Sequence, residues 1–395
     1  MEQPLKILFV INDLYTRGNG LAASARRTIA LLREHGHHVR VLSALPRDGD
    51  DCGGGMPEYV LPPLRIPLVD PLIASQGYAF ARAKRREIER ALAWADVVHL
   101  EEPFYLQAVV ARYARRRGVP VVATYHIHPE NLTASVCLDR ALPLNRAILE
   151  LWKRAIFNRS DLVQCPSRSV YERVSKLCVR APLLLLSNGV PLGEEMSGGG
   201  HEVGESSVVR VLVVGRFSRE KDQATILRAL RHSARARSIQ LTFAGRGPTE
   251  HSLRASARRL LRRGVIAHPV RFAFMSADEL AREASSCDLY VHAARIEVEG
   301  LSALEVLRHG VVPLIARGPL TATSQFALSE DSVFEAGHAR ALARAIDVWI
   351  DRGSVGRQCE ARRYRCVGER YDIRTCVARL EEAYRRLVFE GRARG

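Results

Sequence analysis

The stretch VVRVLVVGRFSREKD spans residues 208–222. Its first half is a short run of apolar, mostly β-branched residues, the pattern of a buried strand. At Gly215 the run breaks into a charged loop, GRFSREKD, and a helical pattern begins after Asp222. A strand that leaves through a polar loop into a helix is a building block of a parallel sheet, because parallel neighbours need a long crossover.

The rhythm repeats in both directions. Towards the C-terminus the expected strands are QLTFAG (240–245), VRFAF (270–274), DLYVHAA (288–294) and VVPLIA (311–316). From Ser354 onward the chain reads as helical and rich in Arg and Glu. Towards the N-terminus they are KILFVIN (6–12), HVRVLSA (38–44), DVVHLEE (96–102), PVVATYH (120–126), DLVQCPS (161–167) and PLLLLSNG (182–189). Between the two series lies EEMSGGGHEVGESS (194–207), a Gly- and Ser-rich stretch without periodicity that reads as a linker. The expected fold is therefore α/β, two doubly wound Rossmann-like domains facing across a cleft. The expected bounds are 1–190 for the first domain, 191–207 for the linker and 208–370 for the second domain. Ligands of such sheets bind beyond the carboxyl ends of the strands.

The 395 residues carry a net charge of +16, and 47% are hydrophobic. That composition suits a globular chain with a core in each half. The positive balance favours anionic partners: nucleic acid, an anionic lipid surface or phosphorylated small molecules. No window of about 18 apolar residues suggests a membrane span. None of the eight cysteines forms a CxxC or takes zinc-finger spacing with His, so a reducing, cytoplasmic compartment is expected. The Asp-x-Asp within DGDD (48–51) has no partner acids at ligand spacing, and no metal or other cofactor is expected.

The polar clusters fall just after the expected strands. Arg216 and Lys221 put two cations beside a helix start, an arrangement suited to a diphosphate. Gly18 and Gly20, in RGNG, allow close backbone approach between a strand and a helix. His126 ends a strand, where its ring can donate a hydrogen bond to a ligand, whereas His128 suits a satisfied loop residue. Glu297 precedes a helix that opens with Gly300, Leu301 and Ser302, and an ionised carboxylate there accepts hydrogen bonds from sugar hydroxyls. Ser302 and Glu305 have capping-box spacing, which gives Glu305 a purely structural alternative.

This ordered set resembles glycosyltransferase family 4, the retaining glycosyltransferases of GT-B fold. The resemblance rests on Glu297-x7-Glu305, GRFSREKD, AGRGP (244–248) and SNGV (187–190), and covers nearly the whole chain. It implies that Glu297 contacts the donor sugar and Glu305 the ribose. Arg216 and Lys221 would neutralise the diphosphate, with amides at Gly20 and Gly18, and with Gly300, Leu301 and Ser302 close by. His126 would face the sugar, and the base would rest near Phe272 and Phe274. It also implies that the tail, residues 371–395, packs back on the first domain. The stretches EVEGLSALE and PLTATSQFALSEDSVF (319–334) look similar to bacterial diacylglycerol glucosyltransferases and their relatives. The function so implied is transfer of a hexose from a UDP-linked sugar to a cell-envelope acceptor, a glycerolipid at an anionic membrane surface among them. The enzyme would be cytoplasmic and peripheral to the membrane, with the stretch 61–90 touching the leaflet. Val298, Glu299, Asn19 and Arg246 depart from the family pattern and leave the donor open. A nucleotide-sugar epimerase, and a transferase acting on a polysaccharide or small molecule, also stay open. A nucleic-acid binder is disfavoured, because the basic residues lack interleaved aromatics.

Overall fold

The computed structural model describes residues 3–15, 19–44, 57–65, 79–192 and 208–394. Gly18, the DGDD stretch and 193–207 of the expected linker lie outside the described residues. Contacts divide the chain into two units: Met1–Gly189 with Ile373–Gly395, and Val190–Asp372.

In the first unit seven strands form one parallel sheet: β1 (Lys6–Val10), β2 (His38–Ala44), β3 (Tyr59–Leu61), β4 (Val97–Leu100), β5 (Val121–Thr124), β6 (Leu162–Cys165) and β7 (Leu183–Leu185). Their spatial order is β3-β2-β1-β4-β5-β6-β7. Every residue of β4, β5 and β6 is buried, as expected for parallel strands covered on both faces. Helices α1 (Gly20–Glu34), α2 (Arg85–Trp94), α3 (Tyr105–Arg117), α4 (Pro129–Thr133), α5 (Leu142–Ala155) and α6 (Arg168–Ser175) connect them. The first of these buries Ala22, Ala25, Ile29 and Leu32, a stripe at helical spacing.

The second unit has six parallel strands: β8 (Val209–Val214), β9 (Ile239–Ala244), β10 (Arg271–Ala273), β11 (Leu289–His292), β12 (Val312–Arg317) and β13 (Val333–Glu335). Their order is β10-β9-β8-β11-β12-β13. Helices α7 (Gln223–Ala229), α8 (Glu250–Arg262), α9 (Ala277–Ser286), α10 (Leu301–Leu307), α11 (Ala339–Asp351) and α12 (Gly353–Glu369) complete it. Trp349, Phe217, Phe243 and Tyr290 are among the largest fully buried side chains of its core. The final helix, α13 (Ile373–Arg394), puts Ile373, Val377, Leu380 and Tyr384 into the core of the first unit.

Each sheet reverses direction once, between β1 and β4 and between β8 and β11. At such a point the loops leaving two adjacent strands diverge to opposite faces and open a crevice for a ligand. Among the described residues no helix is long and apolar enough to cross a membrane.

Candidate functional site

In the second unit the switch point brings GRFSREKD, leaving β8, beside the loop 293–300, leaving β11. Arg216 extends to Glu220, with 2.7 Å between Nη2 and Oε1, and Ser218 donates to the same oxygen at 2.6 Å. Burial would raise the Glu220 carboxyl pKa, but the Arg216 charge and the Ser218 hydrogen bond hold it below the usual range. The main chain of this loop is fastened on two sides. Phe217 N donates to Arg246 O at 3.0 Å, and Arg295 N donates to Glu220 O at 2.8 Å. Gly247 makes the first fastening possible, since a Cβ there would lie 2.4 Å from Phe217 O.

Lys221 Nζ donates to Glu297 Oε2. His292 Nε2 lies 3.2 Å from that same oxygen, and Tyr290 Oη lies 2.8 Å from His292 Nδ1. Burial pushes the Glu297 pKa up, yet the Lys221 charge and the His292 contact prevail and leave it well below the ordinary carboxylate value. The Glu297 backbone is fixed as well: its N–H donates to Leu320 O at 2.7 Å, and its carbonyl accepts from Ala322 N at 3.0 Å. Thus four strand ends, those of β8, β9, β11 and β12, converge on one small region.

The capping box expected of Ser302 and Glu305 does not form. The helix is capped two residues earlier by Gly300, whose φ of 93° lies in the left-handed region. A Cβ at Gly300 would also come within 2.1 Å of Thr323 Cγ2, so glycine is required twice over. Burial raises the Tyr290 pKa, and the nearby Glu297 and Glu305 charges raise it further. With no cap role, Glu305 keeps a half-buried place on α10, in the Tyr290 neighbourhood.

Phe272 is committed to packing. It lies edge-on to Phe217 and tilted on Phe243, with the Arg254 guanidinium 4.5 Å from its ring centre. Phe274 is 49% exposed, with Arg246 stacked 4.3 Å from its centre. Of the two, Phe274 keeps ring surface for a ligand.

In the first unit, Gly20 begins α1, but Asn19 does more than widen the turn. Its Oδ1 accepts from Leu21 N at 3.1 Å and Ala22 N at 3.4 Å. Asn19 is thereby an N-cap that satisfies two of the first amides of α1. His126 follows β5, and its Nε2 lies 2.7 Å from Glu101 Oε2. Glu101 follows β4 and is 3% exposed. Burial would raise its pKa, and the His126 and His99 rings hold it below the usual range. His99 stacks on Phe9 and contacts Tyr384 Oη at 2.5 Å and Thr124 Oγ1 at 2.8 Å; burial lowers its pKa to about 4. His128 is buried and caps α4, as a structural histidine does.

Glu220, Tyr290, His292 and Glu101 escaped the sequence reading. A signal was present for two of them: Tyr290 and His292 sit at i and i+2 in an apolar strand, hence on one face. Among the described residues no group of three or more His, Cys, Asp or Glu converges as a metal-binding set.

Residues 18–194 match the family model Glycosyltransferase Family 4, and residues 205–365 match Glycosyl transferases group 1. The chain is a GT-B glycosyltransferase of family 4. Among solved structures, HepE of Anabaena with UDP and glucose is 16% identical to this glycosyltransferase, over 96% of this chain and 99% of that one, with a TM-score of 0.72. Sucrose-phosphate synthase of Thermosynechococcus elongatus is 17% identical over 97% and 99%, also with a TM-score of 0.72. The catalytic domain of the Helicobacter pylori cholesterol-α-glucosyltransferase is 35% identical over 41% of this chain and 98% of that chain, with a TM-score of 0.38. No curated protein matches the glycosyltransferase. Its two parallel sheets, ordered 3-2-1-4-5-6 with a seventh strand on the first, are those of the GT-B class.

Proposed function

We propose that this glycosyltransferase moves a hexosyl group from a UDP-linked sugar to a glycerolipid of the cell envelope, with retention at the anomeric carbon. The observation that carries the donor reading is the pairing of Lys221 with Glu297 at the switch point of the second unit, with Arg216 on the same loop as Lys221. The departing group is a nucleoside diphosphate whose charge grows as the glycosidic bond breaks. Two fixed cations stabilise that charge more in the transition state than in the ground state, which is the requirement for catalysis. Arg216 and Lys221 hold the diphosphate, assisted by the amides of Leu301 and Ser302, which have no intrahelical acceptor. Glu297 takes a sugar hydroxyl, Glu305 the ribose and Phe274 the base. The acceptor hydroxyl oxygen bonds to the anomeric carbon on the face the diphosphate leaves. The carbon–oxygen bond to the phosphate breaks, and the acceptor proton passes to a departing phosphate oxygen. UDP is chosen because the motifs resemble those of UDP-sugar enzymes and because HepE, of the same fold, is described with UDP.

The membrane side of the reading draws on surface chemistry. Leu132, Val136, Leu138, Leu142, Leu144 and Leu151 are exposed large apolar side chains in and around α4 and α5. Arg140 and Arg146 are exposed among them. Apolar side chains interspersed with cations suit the boundary of an anionic leaflet on the cytoplasmic face. Of the stretch 61–90, to which the sequence pointed, residues 66–78 lie outside the described residues.

The test is incubation with labelled UDP-glucose or UDP-galactose and diacylglycerol in phosphatidylglycerol vesicles, at low and high salt. Label is expected on the lipid in the donor's own anomeric configuration, with vesicle binding lost as salt rises. Label remaining on an altered free nucleotide sugar points to epimerisation and overturns the proposal. So does transfer only to water-soluble acceptors, or transfer with inversion.

A further inference from the structure

Tyr290 and His292 project from one face of β11 and are 0% and 3% exposed. The family motifs give neither a role. Their contacts form a chain: Tyr290 Oη to His292 Nδ1 at 2.8 Å, and His292 Nε2 to Glu297 Oε2 at 3.2 Å. The chemistry of the carboxylate decides the direction of the hydrogen bond at Glu297. Glu297 is held ionised and is acceptor-only, so His292 Nε2 carries the proton and donates. With one ring proton, held at Nε2, Nδ1 is an acceptor and Tyr290 Oη donates to it. Burial, which keeps the Tyr290 phenol protonated, agrees with that direction.

The chain has a consequence for Glu297. Lys221 and His292 both donate to Oε2, while among the described residues no hydrogen bond reaches Oε1. The carboxylate can neither rotate nor turn Oε2 outward without breaking both contacts.

Resting on the donor reading above, we propose that Tyr290 and His292 are positioning residues that fix the Glu297 carboxylate so that Oε1 alone accepts a donor-sugar hydroxyl, and that they thereby set which hydroxyl configuration is accepted. Tyr290 and His292 themselves lie away from the nucleotide half of the donor, which the reading above gives to Arg216, Lys221 and Glu305.

Three variants, read by turnover, UDP affinity, epimer preference and ring tautomer, test the proposal. His292→Leu removes the donor to Glu297, His292→Gln restores an N–H at a similar reach, and Tyr290→Phe cuts the chain one link further back. Turnover by His292→Leu is expected to fall about ten- to a hundred-fold, the scale of a lost hydrogen bond to a charged group, with UDP affinity nearly unchanged and the melting temperature lowered. Its preference between UDP-glucose and UDP-galactose should collapse, His292→Gln should recover most of both, and Tyr290→Phe should fall between. Nitrogen-15 spectra of the histidine rings, with His292 assigned by its loss in His292→Gln, should show the Nε2–H tautomer. A Nδ1–H tautomer overturns the chain whatever the activity. Unchanged epimer preference in His292→Leu overturns the positioning role, as does a loss of UDP affinity equal to the loss of turnover. If the parent protein shows the Nε2–H tautomer but turns over neither sugar, the donor reading fails, and the specificity role with it.

Discussion

Replacing Lys221 by Met removes the cation that faces Glu297 while keeping much of its apolar stem. The two side chains are 22% and 13% exposed, so the pair is largely, not fully, out of water. Removing one member of a buried pair typically costs 3–5 kcal/mol, because the remaining charge is left unbalanced. Partial exposure and the surviving His292 donor reduce this to about 2–3 kcal/mol here. For a unit of this size each kcal/mol shifts the midpoint by about 2–4 °C, so the transition of the second unit should fall by about 5–10 °C. The double variant Lys221→Met/Glu297→Gln removes both charges and should regain at least about 1 kcal/mol, a coupling expected of groups in contact. The pH dependence has a definite sign. Glu297 has a folded pKa below its unfolded value, so its contribution is complete above the unfolded carboxylate value of about 4.3 and is lost as pH falls below it. The difference between parent and variant should therefore be widest near neutrality and should narrow in acid. Thermal melts followed by circular dichroism from pH 7 down to pH 3 read all of this. A Lys221→Met protein that melts with the parent at pH 7, or a gap that widens in acid, refutes the reasoning.

Two further outcomes follow from individual contacts. Gly300→Ala places a Cβ 2.1 Å from Thr323 Cγ2 on a backbone with φ of 93°. It should cost about 2–4 kcal/mol from strain and overpacking together, read as a lower melting midpoint, and wild-type stability would disprove the required-glycine argument. In the first unit, burial lowers the His99 pKa from 6.5 to about 4. A lowered folded pKa means its contribution is complete above the unfolded value and is lost as pH falls towards the folded one. That amounts to about 3 kcal/mol between roughly pH 6.5 and 4. Urea unfolding across that range should show a shallower pH slope in His99→Gln, and an unchanged slope would mean His99 is not the titrating group.

Local pattern determined much of this protein. Apolar runs of four to eight residues, each leaving through a polar loop into a helical period, can bury themselves only in parallel sheets, so both doubly wound units were legible. That Arg216, Lys221, Glu297 and His126 follow strands was legible for the same reason, and strand ends are where such sheets bind ligands. What could not be read was which of these groups meet. Lys221 and Glu297 are 76 residues apart and touch because β8 pairs with β11, and strand order is set by long-range packing. His126 acquires Glu101 because β4 lies next to β5. Spacing can also satisfy more than one local structure. Ser302 and Glu305 fit a capping box, and Gly300 instead ends the loop because the close approach of Thr323 admits only a glycine there. Asn19 could be part of a phosphate turn or a helix cap, and its bonds to Leu21 and Ala22 make it a cap. Tyr290 and His292 read as ordinary strand residues until the loop after β11 folded Glu297 back over them. Sequence periodicity specifies which face a side chain takes; only the completed sheet specifies what that face meets.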